Sequence, residues 1–114
     1  MAMYLINRSR IHLARQEAAA AEPLLREALQ IRRRVMPETD WRIAAPKSLL
    51  GATLTDLGRY DEAEPLLREA HDVLHPMKDT PGHRGREALA NASRLVALYE
   101  AWGQAEKATP YRAP

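Results

Sequence analysis

Between residues 63 and 74 the apolar side chains Ala63, Leu66, Leu67, Ala70, Val73 and Leu74 recur at i, i+3, i+4, i+7, i+10 and i+11. That is the stripe of an α-helix buried along one side. The same alternation of apolar and polar positions along the chain predicts six helices, at about 3–15, 18–36, 42–57, 60–75, 86–102 and 104–112. Irregular stretches at 37–41 and 76–86 separate them. In the first, Thr39 or Asp40 can accept hydrogen bonds from the free N–H groups that open the next helix. The second holds Pro76, Asp79, Pro81, Gly82 and Gly85, and its prolines cannot donate the backbone bonds of a continuing helix. Tighter breaks fall at Gly58 and Gly103, where glycine can take the left-handed conformation that ends a helix.

The pattern also repeats as a sequence. The octapeptide AEPLLREA occupies 21–28 and again 63–70, a period of 42 residues. A chain that repeats at this spacing forms a stack in which each unit buries its apolar face against its neighbours. Pairing the helices across their short breaks gives about three antiparallel hairpins, with units near 1–38, 39–80 and 81–114, the first and last degenerate or incomplete. In the middle unit Gly51 lies inside a helix, where it costs about 1 kcal/mol relative to alanine. Close approach of the partner helix offsets that cost, with Ala63 and Ala70 expected as the small residues opposite. Pro23 and Pro65 sit early in their helices, Pro46 is expected to mark a later helix start, and Pro110 to end the last helix after scarcely two turns. So short a last helix is expected to leave Leu95, Leu98 and Tyr99 uncovered, an apolar end that self-associates or continues into further units.

Leu50, Gly51, Gly58, Tyr60, Ala63, Leu67 and Ala70 of the middle unit carry a family resemblance, with Leu95, Tyr99, Gly103 and Ala108 in the third unit and Leu24, Leu25, Ala28 and Ile31 in the first. The pattern resembles the tetratricopeptide repeat. Its 42-residue period and AEPLLREAL phrase are similar to the variant found in kinesin light chains and many bacterial multi-repeat proteins. The phrases SLLG, GRYDEAEPLL and LVALYEAWG further resemble the final repeats of bacterial proteins that join a serine/threonine protein kinase to a repeat array. The opening helix departs from the pattern, with Arg8 where the family usually has leucine. The resemblance implies an all-α, right-handed α-solenoid of about three antiparallel helical hairpins. It also implies a concave groove, lined by the first helix of each pair, that receives a protein or peptide partner. By alignment the groove residues are Ile6, Asn7, Arg10, Ser48, Leu49, Ala52, Ser93, Arg94 and Ala97. Asn7, Arg10 and Arg94 would donate hydrogen bonds to a peptide backbone or an acidic side chain.

Composition narrows the alternatives. Seventeen basic and 15 acidic residues leave a formal charge of +2, so a nucleic-acid role would need a concentrated patch. The one dense run, Arg32 to Arg34, spreads around a helix by about 100° per residue and is expected to solvate the helix end near its negative pole. Without cysteine there is no disulfide or thiolate metal site. No apolar run approaches the roughly 20 residues of a membrane span, and the N-terminus lacks signal-peptide features, so cytoplasm is the default expectation. Arginine outnumbers lysine 14 to 3, which hints at a GC-rich, bacterial source.

Candidate chemistry is sparse. His71 and His75 have metal-ligand spacing on one helix face, yet no glutamate follows His71 in the HExxH manner. Position 71 corresponds to Leu29 of the first unit, so His71 is expected to replace an apolar residue at the helix edge. Asp61 and Glu62 fit the positive end of a helix dipole better than a catalytic carboxylate pair. No glycine-rich phosphate loop or catalytic Asp loop of a kinase is present, and no nucleophile is paired with a base. A non-catalytic scaffold without cofactor or metal remains. It either binds a protein or peptide, as a regulatory part of a signalling protein, or assembles with copies of itself through its end helices.

Overall fold

The computed structural model describes residues 1–112. Five α-helices run in order: α1 (Ala2–Ala14), α2 (Ala18–Arg33), α3 (Trp41–Asp56), α4 (Tyr60–Leu74) and α5 (His83–Ala101). A 3-10 turn at His75–Met77 prolongs α4, and a 3-10 helix at Ala105–Tyr111 follows α5. Each of α1 and α2, α3 and α4, and α5 and the last 3-10 helix forms a hairpin, and successive hairpins pack side by side. A main core runs through the row, with a smaller buried cluster of Ala44, Ala70, Leu74 and Ala88 beside it. Leu25, Leu29, Ile43, Leu50, Leu54, Leu67, Leu95 and Leu98 are the largest buried apolar residues of the main core.

The same turn closes each hairpin. Residue 16, 58 or 103 stands in the left-handed region, with φ of 60° at Gln16, 77° at Gly58 and 75° at Gly103. The next residue donates its N–H back to a carbonyl five residues earlier, Glu17 to His12, Arg59 to Leu54 and Gln104 to Tyr99, each at 2.8 Å. Gln16 is the position the glycine pattern did not reveal, because a side chain occupies it. A left-handed L-residue costs about 1–2 kcal/mol, of which glycine's extra unfolded-chain freedom would take back about 0.5–1. Gln16→Gly is therefore expected to raise stability by about 0.5–1 kcal/mol in urea unfolding.

Prolines give a second repeat signature. Pro23, Pro46 and Pro65 each occupy the sixth residue of their helix. Pro46 does not mark a later start: α3 begins at Trp41, capped by Asp40, whose side chain accepts the Arg42 N–H at 2.8 Å. A residue at 46 would normally donate to the Arg42 carbonyl, and proline cannot. Arg32 supplies the missing donor from the end of α2, its guanidinium bonding that carbonyl at 2.6 Å. Arg32 is thus half-buried between two units rather than solvated at an outer helix end.

The capping carboxylate gives a pH expectation. The Arg42 side chain, and then its backbone N–H, hold Asp40 at about 2, below its ordinary 3.8. A lowered folded pKa means that the stabilisation is whole above the unfolded value and disappears as pH falls through the folded one. Helical signal by circular dichroism should therefore lose stability between about pH 4 and pH 2, and Asp40→Asn should remove that component.

Two other expectations need correction. The residue opposite Gly51 is Leu67, not Ala63 or Ala70: a Cβ at Gly51 would lie 2.5 Å from Leu67 Cγ. The chain's end is covered as well. Leu95 and Leu98 are wholly buried and Tyr99 nearly so, because the 3-10 helix lays Ala108 and Tyr111 over them. Pro110 lies within that 3-10 helix, whose tighter winding replaces the α-helix expected at 104–112.

Units are tied through one repeated acid. Glu22 and Glu64 lie 42 residues apart in the two copies of the octapeptide. Glu22 accepts from the Arg59 guanidinium at 2.8 Å, and Glu64 from the Tyr99 hydroxyl at 2.7 Å, so each second helix is bonded into the following unit. Burial, and then that bond to Glu64, push the Tyr99 phenol well above its ordinary range. Lys47 forms another tie. Its buried ammonium meets Glu38 at 2.7 Å and Glu69 at 3.0 Å, joining the 37–40 loop to α4.

Candidate partner-binding cleft

The first helices of the three hairpins share one side of the molecule, and α1 reaches α5 across α3. Arg10 on α1 donates to Glu87 on α5 at 3.3 Å, an ion pair between the first and third units. Near the starts of α3 and α5, residues of these three helices surround a cleft of about 430 Å³. Its floor is apolar, formed by Ile6, Trp41, Ala45 and Pro46, with Met3 at the edge. Its rim is basic, from Arg10, Arg32 and Arg42, and Asn7, His83 and Glu87 complete the lining. Arg84 stacks its guanidinium over the Trp41 ring at 5.5 Å from the centroid, adding another cation beside the mouth.

Charges in the cleft are unevenly satisfied. Arg42 is paired with Asp40 at 2.9 Å, and Arg10 with Glu87. Arg32 bonds a carbonyl and has no carboxylate partner among the described residues. Burial, and then the positive charge of Arg42, lower its pKa, while Asp40 acts the other way. One oxygen of Glu87 is bonded to Arg10; the other is buried without a protein partner. The net field at the rim is positive, which suits an acidic ligand.

The nine aligned groove residues separate into groups. Ile6, Asn7 and Arg10 line the cleft. Ser48 and Leu49 do not face it as ligands: Ser48 is wholly buried and Leu49 belongs to the core. Arg94 lies half-buried on α5 and donates to the Ser48 hydroxyl at 2.8 Å, so it braces α5 against α3. Burial lowers its pKa, with Glu87 opposing and Arg10 adding to the shift. Ala52 is half-buried, Ala97 is exposed, and Ser93 lies with Val96, Tyr111 and Arg112 at the C-terminal end of the stack. Alignment with a family pattern transfers a helix face correctly only where each unit has the same neighbours, and α5 is followed by a 3-10 helix rather than a full hairpin.

Trp41, Arg32, Arg42 and Pro46 were missed as cleft residues. A signal for Arg32 existed, since a proline inside a helix leaves a carbonyl that some donor must satisfy. Trp41 had none, because its alignment places it at the helix start, outside the groove positions.

A row of helical hairpins with a cleft along its first helices defines a helical-repeat interaction scaffold. The chain belongs to the tetratricopeptide repeat family, whose model matches residues 1–75, the first two hairpins. Repeats of this family are generally non-catalytic modules for protein interaction. No curated protein and no solved structure matches the chain. Among the described residues no helix is long and apolar enough to cross a membrane, and no group of three or more His, Cys, Asp or Glu could hold a metal ion.

Proposed function

We propose that the protein is a non-catalytic scaffold that binds a segment of a partner protein in the cleft between α1, α3 and α5, and that the segment is acidic with an apolar anchor. The observation carrying this reading is the lining itself, an apolar floor around Trp41 under a rim of arginines. The anchor would displace water from Ile6, Trp41 and Pro46, while carboxylates meet Arg10, Arg32 and Arg42. The same reading makes the domain a cytoplasmic regulatory module of a larger signalling protein, following the resemblance of its last units to kinase-linked arrays.

Selection from a random peptide library displayed against the purified protein tests the cleft. Enriched sequences should carry Asp or Glu beside a Leu, Ile, Met or aromatic residue. Affinity of a synthesised winner should fall about tenfold or more in the Arg10→Ala/Arg42→Ala variant, and fall with added salt. Arg34→Ala, on the exposed end of α2, should leave it unchanged. Enrichment of basic peptides, or binding indifferent to the double substitution, would reject the reading.

One observation favours a second reading, self-assembly through an end helix. Tyr4 and Ile11 are 57% and 53% exposed on α1. A second copy of the chain would cover them. Light scattering at high micromolar concentration decides: a Tyr4→Ser/Ile11→Ser variant should revert to monomer if this is the assembly face, and a wild type that is already monomeric removes the reading.

A further inference from the structure

The second unit carries imidazoles where the first has a buried leucine and a surface arginine. His71 and His75 follow Leu29 and Arg33 by 42 residues, and Leu29 is 2% exposed in the core. His71 is half-buried, and its ring stacks on that of His75 with centroids 4.6 Å apart and planes at 29°. Its other aromatic neighbour is Tyr111, edge to face at 5.0 Å. Tyr111 in turn stacks on Tyr99 at 6.2 Å, so the last residue of the 3-10 helix is held between an imidazole of α4 and a phenol of α5.

We infer that His71 and His75 form an acid-sensitive clasp, which holds the 3-10 helix Ala105–Tyr111 on the end of the stack when neutral and loosens it when both rings carry protons. A proton on His71 would sit in a half-buried ring stacked on a second imidazole, whose positive charge opposes it. The charges around the pair do not neutralise it. Asp72, next along α4, favours the imidazolium, but it is one carboxylate against two cations. Glu64 on α4 already accepts the Tyr99 hydroxyl, and Arg68 on the same helix adds positive charge near that ring. On the C-terminal side Arg112 is drawn to Glu100 of α5 at 3.2 Å.

Burial, and then the neighbouring His75, place the folded pKa of His71 below its ordinary 6.5. For a histidine whose folded pKa is depressed, the unfolded form binds more protons in between. Stability is therefore whole above 6.5 and is lost as pH falls from there toward the folded value. That window is separate from the one set by Asp40. Loosening of the clasp would uncover Ala108, Leu98 and Tyr99, all buried at neutral pH.

Hydrogen exchange of the intact protein, corrected for the intrinsic pH dependence of exchange, tests the clasp. Amides of residues 105–111 should lose protection by about tenfold between pH 7.5 and pH 5.0, while those of α2 and α3 keep theirs. His71→Leu, which restores the first unit's residue, should hold the segment equally at both pH values. His75→Gln removes the like charge that lowers the His71 pKa and should therefore shrink the loss of protection, a readout that survives if His71→Leu folds poorly. Unchanged protection in the wild type at pH 5.0, or the same loss in His71→Leu, would overturn the inference, as would an undiminished loss in His75→Gln.

Discussion

Urea unfolding of Leu67→Ala is expected to show a loss of about 2–5 kcal/mol, a large part of the stability of a single domain of this size. Leu67 is wholly buried at the centre of the row. Its side chain covers Gly51 of α3, and the carbonyl of the same residue accepts the Asn91 amide from α5 at 3.1 Å. One residue therefore joins the inside of the second hairpin to the third. The glycine beneath it provides a stricter test. Alanine at position 51 would gain about 1 kcal/mol of helix propensity, but its Cβ would lie 2.5 Å from Leu67 Cγ and 2.6 Å from one of its methyl carbons. The branch point of a packed leucine cannot turn away as a flexible tip could, so overpacking costing about 1–3 kcal/mol outweighs the gain. Gly51→Ala alone should destabilise, and in Leu67→Ala the same substitution should become neutral or stabilising, because the atoms it meets are gone. Additive free energies across that cycle would mean that the two residues do not touch.

Much of this arrangement is legible in the sequence. The octapeptide and the two turn glycines specify hairpins, since a 42-residue period, a buried stripe and a left-handed stop act locally or between identical neighbours. Gly51 announced a close helix crossing by its cost alone, although which residue filled the space depended on side-chain direction and turned out to be Leu67. The cleft was less legible. Of the residues that the family resemblance aligned with a groove, Ile6, Asn7 and Arg10 line the cleft, but Ser48 is sealed beneath Arg94, and Ser93 lies at the end of the stack. A helix-face alignment carries no information about what a neighbouring unit lays on that face. The uncovered end was misjudged for a related reason: a stretch too short for an α-helix still covers Leu95 and Leu98 as a 3-10 helix, whose greater rise per residue gives it longer reach.

Gly85→Ala should be the other severe substitution, with an expected loss of about 2–4 kcal/mol despite alanine's better helix propensity. Gly85 is the third residue of α5 and is buried. The preceding loop folds back on it, so that a Cβ there would overlap the carbonyl oxygen of Thr80 and come within 3.2 Å of that of Lys78. Both are backbone atoms, fixed in turn by Lys78 N–H to His75 and Thr80 N–H to Met77 bonds at 3.1 and 2.9 Å, so no rotamer change relieves the overlap. Either the 78–80 turn or the start of α5 must move. Movement of α5 would carry His83 and Glu87 with it and strain the Arg10–Glu87 pair across the cleft. Gly82→Ala offers the contrast: nothing lies within 4 Å of its would-be Cβ, and only its backbone, with φ of 88° and ψ of −148° in a region that glycine alone enters readily, resists a side chain, so a smaller cost of about 1–3 kcal/mol is expected. Thermal and urea unfolding of the two variants should therefore separate, with Gly85→Ala alone also accelerating hydrogen exchange in residues 78–88. Equal losses would mean that backbone conformation, rather than the crowding of Thr80 against α5, makes this loop need its glycines.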